Sequence, residues 1–135
     1  MKIISWNLNG RSDRATISRQ CDYLLGGNFD IITLQEISLK SEKFIKRLLG
    51  DKGGYFLVSS FDLADDHTIL KGRRKFGEII ASRFDFHPCD PSLVDIPFQE
   101  RVLSVQLIDV HPQLEIHTTH IPPGSTNGVI KVEHF

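Results

Sequence analysis

Long apolar runs are missing from this 135-residue chain. No stretch approaches the ~20 residues that a membrane-spanning helix needs. The strand-like start at Met1 has no leader pattern, so no secretory signal is expected. Cysteine is scarce: Cys21 and Cys89 are the only two, which excludes a disulfide framework, and they lack the spacing of a metal-binding pair. A reducing cytoplasm is the expected compartment. An excess of one charge is missing too, since 16 Lys and Arg stand against 17 Asp and Glu for a formal net charge of -1. Without a basic tail or a basic stripe interleaved with aromatics, non-specific nucleic-acid binding is disfavoured, and any phosphate recognition must be local. The one dense cation cluster, Lys71-Gly-Arg73-Arg74-Lys75, reads first as a solvated loop. Also absent are a Gly-rich phosphate loop, a G-x-S-x-G elbow and a catalytic-looking Cys/His neighbourhood.

What remains is an ordinary soluble composition, 40% hydrophobic and 24% charged, long enough for one domain over residues 1–135 with a real core. The stretch Asp30-Ile-Ile-Thr-Leu-Gln-Glu36 is a short continuous apolar run and predicts a strand buried on both faces. It ends on a carboxylate. At the carboxyl end of such a strand Glu36 is either a solvated or Arg-paired end residue, or a ligand for a hard cation such as Mg²⁺. Upstream, residues 2–6 predict a strand that runs into Asn7-Leu-Asn-Gly10, a tight turn. Asn7 either closes an Asx turn or reaches toward Glu36. Ser12 or Asp13 can cap a helix running to about Leu25, with Ile17, Cys21, Leu24 and Leu25 on its apolar face and Gly26-Gly27 as a left-handed stop. Strand, helix and strand in succession predict two parallel strands with a right-handed crossover, which brings Asn7 and Glu36 to the same sheet edge.

Ser41 is the expected cap of a second helix, with Phe44, Ile45, Leu48 and Leu49 as its buried stripe and Gly50 as its end. Strands follow at residues 55–60, 78–82, 84–87, 102–107 and 114–120, with a charged loop over 61–75, a hairpin-like link at His111-Pro112-Gln113 and a helix start at 129–135. The chain therefore reads as an α/β fold, a mixed β-sheet with helices on one face. Of six histidines, His117 and His120 are three apart. On a strand that spacing points them to opposite faces, so they make a poor metal pair. His120, at a strand end before Pro122, is either surface-pointing or a single phosphate-facing imidazole.

Four segments together resemble the endonuclease/exonuclease/phosphatase superfamily, the deoxyribonuclease I-like and exonuclease III-like phosphoesterases. They are Ile4-Ser-Trp-Asn-Leu-Asn-Gly10, Asp30 to Glu36, Gly77-Glu-Ile-Ile-Ala-Ser-Arg83, and Thr119-His-Ile-Pro-Pro-Gly-Ser-Thr-Asn-Gly128 with Lys131 after it. The resemblance implies a four-layered α/β sandwich, of which this chain corresponds to the first half, and Mg²⁺- or Mn²⁺-dependent hydrolysis of a phosphate ester. It implies Glu36 as metal ligand, Asn7 orienting phosphate and the metal's water, His120 near the phosphate, and Arg83 and Arg73 in structure or substrate contact. The family's later Gly-Asp-x-Asn, metal-binding Asp and Ser-Asp-His elements have no counterpart here. The expectation is thus a half-site that binds metal weakly and is feeble or inactive alone. A bare sheet face would then be covered by self-association or by a complementary chain carrying the second half. The alternative is a non-enzymatic half-domain kept for self-association or complementation.

Overall fold

The computed structural model describes residues 1–63, 76–91 and 101–121. Strand β1 (Ile3–Asn7) leads through helix α1 (Arg14–Gly26) to β2 (Ile31–Ser38), and the two strands pair in parallel with Ile3 beside Ile31 and Asn7 beside Gln35. Helix α2 (Leu39–Lys46) continues as a π-helical segment over Arg47–Lys52. Then come β3 (Phe56–Ser59), one turn of helix α3 (Ser60–Leu63), β4 (Phe76–Ser82), β5 (Phe86–Pro88), β6 (Val102–Leu107) and β7 (Glu115–Thr119). The first sheet has the order β1-β2-β4-β3, mixed as expected, and the second is antiparallel in the order β5-β6-β7.

Period-two alternation sorts β2 and β4 onto two cores. Ile32, Leu34, Ile79 and Ala81 meet Ile17, Cys21 and Leu24 of α1 and Ile45 and Leu49 of the second helical segment. Ile31 and Ile80 face the other way and pack on Leu103, Val105 and Leu107 of β6. Each fully buried Ile or Leu adds roughly 1.5–3 kcal/mol of burial free energy, so β2, buried on both sides from Ile31 to Gln35, is the centre of the molecule. The bare sheet face expected from truncation is not found over β2 and β4, because the chain's own β5–β7 already covers it. Among the described residues β1 and β3 edge the first sheet and β5 and β7 the second.

Local chemistry explains the helix boundaries and corrects three of them. Asp13 caps α1 by accepting the Thr16 N–H at 3.0 Å, which lowers its carboxyl pKa. The left-handed residue after α1 is Asn28, at φ 53°, and not Gly27, whose φ is -76°. A side chain at Gly27 would strike the Phe29 ring, which is why glycine stands there. Ser38, not Ser41, caps α2: its Oγ accepts the Ser41 N–H at 3.2 Å, so strand passes into helix with no loop between. Nor does Gly50 stop the helix, since the π-helical segment carries it to Lys52. Cys21 lies in the core, where burial pushes its thiol up to about 11. The first residues of the expected 61–75 loop form α3. The rest of it, with Lys71, Arg73, Arg74 and Lys75, and the expected helix start at 129–135 with Lys131, lie outside the described residues.

Candidate active site

Parity alone would bury Glu36 among the helix-side residues, two past Leu34 and four past Ile32. The ladder prevents this. Leu34 pairs with Ile79 and Ile37 with Gly77, so Gln35 and Glu36 together oppose the single residue Glu78. This is a β-bulge. It places Ile37, buried to 1% exposure, in the helix-side core and leaves Glu36 as the extra residue at φ 53°. That left-handed conformation is costly for any residue with a β-carbon.

The β1–α1 turn is fastened to the same bulge. Leu8 N–H donates to Gln35 O at 2.9 Å and Gly10 N–H to Glu36 O at 3.0 Å. Gly10 itself has φ 63°. Asn7 meets both readings of its role: its Oδ1 accepts the Asn9 N–H at 2.8 Å in an Asx turn, and its Nδ2 donates to Glu36 Oε1 at 3.2 Å. From the second sheet, His120 Nε2 lies 3.1 Å from the same Oε1. Glu36 Oε2 has no hydrogen bond from a described residue. Burial, helped by Arg101, lowers the His120 pKa, against the raising effect of Glu36. A neutral imidazole facing an acceptor-only carboxylate must carry its proton on Nε2, which leaves Nδ1 as an acceptor.

Beneath this cluster runs a polar network that the pattern of residues did not announce. Gln35 Nε2 donates to Ser5 Oγ at 3.0 Å, Thr33 Oγ1 at 3.2 Å and Thr118 Oγ1 at 2.9 Å. Thr118 Oγ1 in turn donates to Glu78 Oε2 at 3.1 Å. Glu78 is 1% exposed, and burial pushes its carboxyl up to about 9, with Thr118 and Arg101 opposing and Glu36 adding to the rise. At neutral pH it is an uncharged acid. The available signal was a lone carboxylate inside the otherwise apolar Gly77-Glu-Ile-Ile-Ala81. A groove of about 670 Å³, lined among others by Ser5, Asn7, Thr33, Gln35, Thr118 and His120, opens between β1 and β7.

The remaining candidates stand elsewhere. Arg83 follows β4 at the opposite end of the sheet, where Ser82 pairs with Ile31, about 16 Å from Glu36 at the usual rise per strand residue. Its guanidinium lies 3.9 Å over the Tyr55 ring and donates to Gly53 O at 2.6 Å. These contacts suit the structural alternative of its expected role. Arg73 lies outside the described residues. His117 points away from His120 as expected, with Nδ1 2.7 Å from Ser104 Oγ and Nε2 3.4 Å from Glu115.

Among the described residues no group of three or more His, Cys, Asp or Glu side chains could hold a metal ion. The donor set offers one hard carboxylate, whose Oε2 takes no hydrogen bond from a described residue, beside an amide. That suits an ion such as Mg²⁺, which keeps several waters and is held through one or two carboxylates plus substrate phosphate. It does not suit an all-protein cage.

No curated protein matches the sequence. Solved structures match its fold. A humanized D. rerio TDP2 aligns with TM-score 0.63 and 19% identity over 96% of this chain and 51% of its own. ANGEL2, a 2',3'-cyclic phosphatase, aligns at 0.62 and 17% over 98% and 44%. An AP endonuclease from Archaeoglobus fulgidus aligns at 0.60 and 20% over 90% and 41%. This chain thus spans about half the length of those proteins or less. Residues 4–127 match the profile of the endonuclease/exonuclease/phosphatase family. That stretch holds the bulged Glu36, the Asn7 turn and His120, so on sequence and fold together the chain belongs to the endonuclease/exonuclease/phosphatase family.

Proposed function

We propose that this chain carries the metal-binding half of a Mg²⁺-dependent phosphoesterase site, feeble or inactive by itself. The observation that supports this most is the convergence on one atom: Asn7 Nδ2 and His120 Nε2 both lie within hydrogen-bond reach of Glu36 Oε1. Those residues come from three separate segments and two sheets. Glu36 is the proposed ligand through Oε2, for Mg²⁺ or Mn²⁺. When bound, such an ion polarises a phosphoryl oxygen and neutralises its charge. The chain's own residues orient. Asn7 fixes the Glu36 carboxylate through one amide proton and offers the other to a phosphate oxygen, while neutral His120 donates its Nε2–H to the same carboxylate and stands beside the phosphate position. Arg73 is a further candidate contact. With no group of three metal-holding side chains among the described residues and no positioned base assigned, little rate enhancement is expected.

A complementary partner is part of the reading. β1 and β7 are each an edge strand of their sheet among the described residues, and they flank the same polar groove. Unpaired strand edges are templates for another chain. A strand-bearing second half, or a second copy of this chain, would extend both sheets there and bring new groups beside Asn7 and His120. The same open side supports the alternative, a non-enzymatic half-domain kept for association. No helix among the described residues is long and apolar enough to cross a membrane, and the two free cysteines suit the cytoplasm as proposed compartment.

Hydrolysis of bis(p-nitrophenyl) phosphate with Mg²⁺ or Mn²⁺ tests the enzymatic reading, for the chain alone and with a second-half polypeptide of the family added. Feeble turnover that rises on complementation and is lost in Glu36→Gln is expected. Mn²⁺ affinity that is the same in Glu36→Gln and wild type would remove the metal site. No gain on complementation would favour the binding module.

A further inference from the structure

Glu78 is the buried titratable group that the proposed chemistry does not use. It lies between the two sheets at 1% exposure, and its Oε1 has no hydrogen-bond partner among the described residues. An apolar side chain of similar volume would serve packing there at least as well. Its connections indicate what it serves instead. Glu78 alone opposes Gln35 and Glu36. Its backbone N–H is held by Ser60 Oγ at 2.9 Å, so the residue is anchored from the β3 side. Its Oε2 takes the Thr118 hydroxyl at 3.1 Å, and that hydroxyl accepts from Gln35 at 2.9 Å.

Two members of this hydrogen-bond chain stand beside site residues. Gln35 precedes Glu36 in the bulge. Thr118 lies two before His120, on the same inward face of the β7 segment. Thr118 can accept from Gln35 only while its own proton is directed elsewhere, and Glu78 is what receives it. With that acceptor gone, the hydroxyl turns and the contact between β2 and β7 loosens at the point where Glu36 and His120 meet.

We infer that Glu78 is a positioning residue for the site: through Thr118 it ties β7 to the bulge of β2 and holds the Glu36 carboxylate and the His120 ring in mutual register. The inference rests on the metal-site reading only where Mn²⁺ serves as its probe.

Glu78→Leu, Glu78→Gln and Thr118→Val in the full chain test it. The readouts are Mn²⁺ affinity by electron paramagnetic resonance, the nuclear Overhauser effect between the His120 ring and the Glu36 side chain, and thermal unfolding. Glu78→Leu is expected to melt no lower than wild type, yet to lose the Overhauser contact and bind Mn²⁺ about ten-fold more weakly, the scale of outer-shell effects on metal affinity. Glu78→Gln, whose side-chain oxygen still accepts from Thr118, is expected to retain both. A purely structural Glu78 would not separate stability from affinity in this way. Glu78→Leu retaining the contact and wild-type affinity overturns the inference. Should that variant fail to fold, Thr118→Val decides by the same two readouts. The Overhauser contact needs no metal, so it still decides if Glu36→Gln shows that Mn²⁺ binds elsewhere.

Discussion

Glu36 leaves β2 at the one point where Glu78, alone on β4, faces two residues. Its φ of 53° is a strained value for a residue with a β-carbon, and a severe one for a β-branched side chain. Glu36→Gly and Glu36→Val should therefore differ in stability by about 2 kcal/mol in favour of glycine, although valine is the better strand former. Urea unfolding of the two variants measures the gap, and valine as the more stable variant would show that the left-handed bulge is not formed.

Raising the pH should weaken the fold through Glu78. Its folded pKa of about 9 lies above the ordinary carboxyl value of 4.5, so the folded state holds a proton that the unfolded chain has released. The stability associated with that proton is complete below pH 4.5. It declines through the window up to about pH 9, by at most about 1.4 kcal/mol per pH unit for one proton. Urea midpoints at pH 5.5 and 8.5 should fall for the wild type and fall less for Glu78→Gln. Parallel slopes in the two proteins would place the proton elsewhere.

His120 should titrate below 6.5, since burial and Arg101 outweigh Glu36. Its effect on stability has the opposite sign to that of Glu78: the contribution is present above 6.5 and is lost as pH falls toward the lowered folded value. Removing the Glu36 charge in Glu36→Gln takes away the one raising influence, so the His120 midpoint should move further down in NMR titration. An upward move would mean that the two side chains do not meet in solution.

At the start of α2, Ser38→Ala should cost about 1 kcal/mol, the usual worth of a serine N-cap. The cap bond to Ser41 N–H is 3.2 Å, and Ser38 is the last residue of β2. Chemical denaturation of Ser38→Ala beside an exposed control such as Lys40→Ala checks this, and equal midpoints would discard the cap.

Much of this could be read from residue order because the signals are local. The run from Ile31 to Gln35 reports its own two-sided burial, and Ile17, Cys21 and Leu24 report one helix face. Asn7 and Glu36 could be brought to a common edge by crossover geometry alone. The bulge could not, because it depends on how two strands distant in sequence register, and β2 by itself reads as regular. For the same reason Thr118 gave no sign that its hydroxyl joins Gln35 to Glu78. Arg83 is expected in structure or substrate contact by family resemblance alone, and its place at the far end of β4 depends on a pairing that residue order does not show. Ser41 reads as the cap in sequence because a strand that passes directly into a helix leaves no loop to mark the boundary.

The register of β2 also sets the terms on which this chain could lose a function and keep its shape. Ile37 already occupies the core place that simple alternation would assign to residue 36. Deleting the single codon for Glu36 would therefore leave Gln35 opposite Glu78 in a regular ladder, with every core side chain still facing its present neighbours. The descendant would fold, and would have no carboxylate at that edge. Under the proposed reading, the architecture and the metal-facing carboxylate are separable here by three nucleotides.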